Sequence, residues 1–222
     1  MKWIPYGPGA LLFQFANELG DAAFAKGRAI TAELEKHPPP GLTEFVPAFT
    51  SVLLEFDPNQ IPDPVQIAPE LAARLESATS EVLPPAPVKE IPVIYDGPDL
   101  ARVAEHNRLS RDEVCELHAS TLYKVYMLGF APGFPYLGDL DPRLHTPRLP
   151  SPRTRVAAGS VGIGGEHTGI YTVDSPGGWN LIGHTTLRIF DPGRATSSGG
   201  AEAMFRLRHG DRVRFVVVNR KT

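Results

Sequence analysis

Glycine limits what the second half of this chain can become. Fourteen of its 21 glycines fall between Gly129 and Gly200. A stretch so dense in residues without a Cβ makes poor helix, because each glycine loses the most backbone freedom on ordering. It reads instead as short strands joined by tight turns. TLYKVYML (Thr121 to Leu128) alternates and is rich in β-formers, and SVGI, TGIYTV, WNLIG, TTLRIF and DRVRFVVV follow as further strands. Many short strands with glycine turns predict a closed or nearly closed β-barrel.

Before this region the pattern differs. ALLFQF (Ala10 to Phe15) reads as a buried strand, and Asp21 as the cap of a helix running to Lys36 with Phe24, Ile30 and Leu34 on one face. TEFVPAF and SVLLEF (Thr43 to Phe56) form a hairpin, and a second helix runs from about Asp63 or Val65 to Ala78. Strand–helix–strand–strand–helix suggests a small split βαβ unit of ferredoxin-like type. LPPAP (Leu83 to Pro87) is a stiff linker, which divides the chain into domains 1–86 and 87–222. The second domain opens with KEIPVIY and two short helices. Asp99 stands at the cap of the first, and Ser110 with Glu113 forms a capping box for the other. The fold class is therefore α+β.

Composition narrows the function. A net charge of -3 supplies no global field for nucleic acid or an anionic membrane. No apolar run approaches the ~20 residues that span a bilayer, and the proline- and glycine-broken start is a poor signal peptide. Cys115 is the only cysteine, which rules out an internal disulfide and thiolate zinc sites. A cytoplasmic protein without a recognisable metal motif is the simplest reading.

Three blocks could carry chemistry. In GFAPGFPYLG, a backbone stiffened by prolines presents Phe130, Phe134 and Tyr136, either as an aromatic wall for a ligand or as a plug for the barrel. The second block runs from Thr146 to Tyr171. Arg148, Arg153 and Arg155 offer planar donor forks for a carboxylate or phosphate, and Gly159 and Gly162 lead a glycine run whose amides could approach an anion. In the third, Gly177 and Gly178 precede Trp179, which is a stacking platform or a core anchor. Candidate catalytic groups are His118, at a helix C-terminus that favours its protonated form, His184 and Ser160. AGSVG lacks the strand-to-helix setting of a nucleophile elbow, and no phosphate-binding P-loop is present.

The strings VYMLGFAPGFPYLG, PRLPSPRTRVAAGSVGI and SPGGWNLIG together resemble the KipI / 5-oxoprolinase B-subunit (PxpB) family. Its members are also called allophanate hydrolase subunit 1 or carboxyltransferase subdomain proteins. The start, PYGPGALLFQF, and GEHTG around His167 depart from the family pattern. The resemblance implies a ferredoxin-like α/β sandwich followed by a cyclophilin-like β-barrel. It implies a non-autonomous component of an ATP-dependent 5-oxoprolinase that opens 5-oxo-L-proline, a small anionic amide, to L-glutamate. The partners would be the KipA-like C-type subunit and the A-type subunit, with ATP and Mg²⁺ bound at the level of the complex. Arg148, Arg153 and Arg155 would then meet the substrate carboxylate, with the aromatic residues and Tyr171 around it. The alternative within the family is a KipI-type regulator that binds and inhibits a sensor histidine kinase.

Overall fold

The computed structural model describes residues 1–79, 83–196 and 200–218. It is α+β and divides into two compact units, Met1–Pro85 and Ala86–Thr222. Among the described residues, no helix is long and apolar enough to cross a membrane.

The first unit contains β1 (Lys2–Pro5), β2 (Ala10–Gln14), α1 (Asp21–Lys36), β3 (Leu42–Ala48), β4 (Ser51–Phe56) and α2 (Ala68–Ser77). Its strands are antiparallel in the order β1-β2-β4-β3. Leu11 and Phe13 on β2, and Val52, Leu54 and Phe56 on β4, recur at period two and so share one face. They pack with Ile30 and Leu34 of α1 and with Leu71 and Leu75 of α2. The sequence pattern does not reveal β1, a four-residue strand bounded by Pro5. It also points to Asp21 as the helix cap. The cap is Gly20, and Asp21 is the first helical residue, where its charge still suits the helix dipole.

The second unit holds β5 (Val88–Val93), α3 (Leu100–Asn107), α4 (Arg111–Ser120), β6 (Leu122–Leu128), β7 (Pro135–Gly138), β8 (Arg153–Val156), β9 (Ser160–Gly164), β10 (His167–Ile170), β11 (Ser175–Gly177), β12 (Asn180–His184) and β13 (Arg212–Val217). The sheet runs β5-β13-β6-β7-β10-β9-β12, antiparallel except for β5 and β13, and β8 pairs separately with β11. The sheet is not a closed barrel. β12 meets the chain just beyond β5 through one antiparallel bridge, Ile94 to His184, and no ladder joins them. The physical reason lies at Asp96–Asp99. Here the backbone leaves the strand and runs on beside β12, with Gly97 so close to Leu181 and Ile182 that a Cβ would strike their backbone. TTLRIF is not a strand either: the Thr185 hydroxyl accepts the Leu187 N–H and folds the chain into a turn.

Apolar residues from both ends of the sheet meet in one core. Ile91, Tyr123, Val125, Leu137, Val161, Ile163, Ile182 and Phe215 pack there with Val103 of α3 and Val114 of α4. The capping box forms as the sequence suggests. The Ser110 hydroxyl accepts the Glu113 N–H, and the Glu113 carboxylate accepts the Ser110 N–H at 2.7 Å.

Candidate functional site

The glycines of the second unit make room for one indole. A Cβ on Gly164 would lie 2.5 Å from the Trp179 ring. One on Gly169 would lie 3.0 Å from the same ring, and one on Gly162 3.3 Å from the Trp179 Cβ. Gly162 pairs with Gly169 across β9 and β10, so Trp179 rests on a patch of bare strand. Gly177 does the same for Tyr171, whose hydroxyl occupies the space a Cβ would need. The sequence suggests anion-binding amides at these glycines. Two of the amides are instead used inside the fold, since Gly159 N–H donates to Tyr171 O and Gly165 N–H to Thr146 O.

Around the indole the aromatics meet edge to face, the arrangement their ring quadrupoles favour. Phe134 lies 5.4 Å from Trp179, 5.2 Å from Tyr171 and 5.1 Å from Tyr136 between ring centroids. Phe134, Tyr171 and Trp179 are buried. Phe130 is not: it is 61% exposed, on backbone with φ 68°. A bulky residue in the left-handed region is strained, and here the strain holds an aromatic ring out at the surface. Phe130, Phe134, Tyr136, Arg148, Tyr171, Gly177, Gly178 and Trp179 line one cleft of about 140 Å³, with Leu149 and Pro152 completing it. Burial raises the phenols of Tyr136 and Tyr171 above their ordinary value, against the opposing effect of Arg148. Both therefore stay protonated at neutral pH.

The three arginines separate. Arg153 makes two hydrogen bonds to the buried Asp99 carboxylate, at 2.7 and 2.8 Å, and Asp99 also accepts the Leu181 N–H. Asp99 occupies the N-cap position of α3 as the sequence suggests, but its side chain makes no capping bond and goes to Arg153 and Leu181, so Arg153 is a structural cation. Arg155 pairs on the surface with Asp174, which also accepts the Ala158 N–H. Arg148 alone lines the cleft. Its guanidinium sits 5.9 Å from the Trp179 ring centroid, and no carboxylate pairs with it among the described residues.

Sequence reasoning missed the residues that pin the backbone on either side of Arg148. Asn180, buried at the start of β12, donates to Pro147 O and Ile163 O and accepts from Arg102. Leu149 N–H donates to Gly178 O at 2.7 Å, and Thr146 and Gly165 bridge on the other side. The signal was present as a lone amide in the otherwise apolar WNLIG.

The catalytic candidates do not converge on the cleft. Ser160 and His184 are register partners on β9 and β12, and His184 Nδ1 lies 2.8 Å from Asp96. His118 is fully buried and stacks on Phe215, with its two ring nitrogens bonded to Tyr95 and Thr168. The helix C-terminus favours a proton there, but desolvation wins and pushes its pKa down to about 3. The sign follows. The unfolded chain takes up this proton near pH 6.5 and the folded one resists it to about 3, so stability is complete above pH 6.5 and falls as pH drops through that window. The slope from this one group is about 1.4 kcal/mol per pH unit. Urea midpoints between pH 6.5 and 5.5 should show a flatter dependence in His118→Gln than in the wild type; equal slopes would refute the buried neutral imidazole.

A family model for the carboxyltransferase domain, subdomain C and D, matches residues 1–198. The chain belongs to this family. It is 39% identical over 227 aligned positions to the 5-oxoprolinase B subunit of Bacillus subtilis, covering 97% of this chain and 92% of that protein. It is 46% identical to the 5-oxoprolinase B subunit of Escherichia coli O157:H7, covering 80% of this chain and 78% of that one. Among solved structures it resembles TTHA0988 at 40% identity and a TM-score of 0.82, covering 96% of this chain but 41% of that longer one.

Proposed function

We propose that this chain is the B-type subunit of an ATP-dependent 5-oxoprolinase, the assembly that opens the lactam of 5-oxo-L-proline to L-glutamate with A-type and C-type companions. The observation that carries the reading is the 39% identity to a 5-oxoprolinase B subunit over nearly the full length of both chains. The finer fold belongs to the same inference. β1 takes the edge beside β2 that a strand after α2 would fill in a ferredoxin-like unit, and the curled second sheet is of cyclophilin-like type.

A lactam carbonyl is a poor electrophile, and ATP supplies the chemistry that activates it. The sequence carries no P-loop, and the cleft around Trp179 is small for a nucleotide. The cleft of about 140 Å³ is walled by aromatics. No group of three or more His, Cys, Asp or Glu among the described residues could hold a metal ion. In this reading ATP and Mg²⁺ act at the level of the assembled complex. What this chain offers is binding and orientation: an exposed cation at Arg148 and two protonated phenols beside it. The kinase-inhibitor alternative is not favoured by the relatives described above, which are named for 5-oxoprolinase.

Co-expression with candidate companion subunits tests the reading. The chain should co-purify with them, and ATP hydrolysis dependent on 5-oxo-L-proline should require the full set. Such hydrolysis by the single chain would refute its dependence on partners. A full assembly inert toward 5-oxo-L-proline would refute the function itself.

A further inference from the structure

The cleft beneath Phe130 has the features of a ligand site and a size that says which ligand. Its volume of about 140 Å³ is well below the ~300–1,000 Å³ of pockets for drug-sized molecules. That size suits a single five- or six-membered ring with one small substituent better than a nucleotide.

Charge points the same way. The backbone around Arg148 is pinned at Thr146, Pro147 and Leu149 by hydrogen bonds to Gly165, Asn180 and Gly178. The guanidinium stands over the indole face, with the Tyr136 and Tyr171 phenols within its electrostatic reach. Arg148 is exposed, with no ion pair among the described residues, and the guanidinium fork matches a carboxylate in two bonds. Arg153 and Arg155, by contrast, already have their carboxylates. Phe130 contributes the remaining wall, exposed at the mouth and edge-on to Phe134 and Tyr171.

We propose that this cleft is the acid-binding subsite of the chain: it takes a small ring-bearing monocarboxylate, with Arg148 on the carboxylate and Trp179 and Phe130 against the ring, and it excludes the nucleotide. The identity of the ring as a lactam rests on the 5-oxoprolinase reading; the preference for a compact monoanion does not.

Indole fluorescence reports on the site, in a Trp3→Phe background so that Trp179 is the only emitter. Titrations use 5-oxo-L-proline, 2-pyrrolidinone, which is the same ring without a carboxylate, and ATP, on the full chain alone and on the co-purified assembly. 5-Oxo-L-proline should bind at least tenfold more tightly than 2-pyrrolidinone, and Arg148→Gln should shrink that preference to under twofold with unchanged thermal stability. Equal binding of the two rings, no binding in either form of the protein, or displacement of the ring compound by ATP in the single chain would each overturn the subsite. In turnover assays, an Arg148→Gln assembly with wild-type KM and kcat would also overturn it while leaving the 5-oxoprolinase role intact. A wild-type assembly inert toward 5-oxo-L-proline, with the carboxylate preference still present at Arg148, would sink the 5-oxoprolinase role and leave the subsite standing.

Discussion

Arg153→Ala should lower the unfolding free energy of the second unit by about 3 kcal/mol or more, the range expected when one partner of a buried ion pair is removed. The loss comes less from the missing attraction than from what stays behind. Asp99 is buried and accepts three hydrogen bonds, two from Arg153 and one from Leu181. Without Arg153 the buried carboxylate keeps a single protein donor, the Leu181 N–H. The effect should also reach the cleft, because Leu181 lies two residues beyond Trp179 and its amide is fixed by this carboxylate. Arg155→Ala is the control. Its pair with Asp174 is exposed on both sides, so its removal should cost no more than about 1 kcal/mol. Adding Asp99→Ala to Arg153→Ala should cost less than the sum of the two single changes, since the orphaned charge goes with it. Urea denaturation of the four variants decides the matter. Equal losses from Arg153→Ala and Arg155→Ala would show that the two pairs are equivalent and that burial gives Asp99 no special cost.

The contrast between these two arginines marks where the sequence stops being legible. Arg148, Arg153 and Arg155 stand within eight residues and look interchangeable in the string. What separates them is the position of carboxylates far along the chain, with Asp99 54 residues before Arg153 and Asp174 19 residues after Arg155. Asp99 holds the cap position the sequence gives it, but only the fold turns its carboxylate away from the helix amides and toward Arg153. The strands were easier. β9 and β12 announce themselves by apolar runs between glycines, and the first unit shows period two on both sides of its hairpin. The sheet's closure was not readable, because one bridge and a continuous ladder differ only in backbone spacing around Gly97 and Gly183. His118 failed for a different reason. A helix end is a sequence feature and burial is not, and burial is the larger effect.

The residue set of the cleft was legible for a reason that also makes its next test severe: Trp179 and its glycines need each other. Trp179→Ala should destabilise the second unit by about 3–5 kcal/mol, the usual cost of truncating a buried aromatic. It should also abolish the cleft, because the indole is both the surface beneath Arg148 and the partner of Phe134 and Tyr136. Trp179→Phe separates the two losses. Phenylalanine keeps an aromatic face over Gly164 and Gly169 but is too small to fill the whole patch, so stability should fall by about 1–3 kcal/mol while carboxylate binding is retained in weakened form. Gly164→Ala approaches the same contact from below. Its new Cβ meets the ring at 2.5 Å, so the indole must lift and the cleft must narrow, with a cost of about 1–3 kcal/mol from overpacking. If the cleft holds the acid, all three variants weaken 5-oxo-L-proline binding at temperatures where they remain folded, Trp179→Ala most of all. Loss of stability without loss of binding would return Trp179 to the role of core anchor and show that the indole is no part of the acid site.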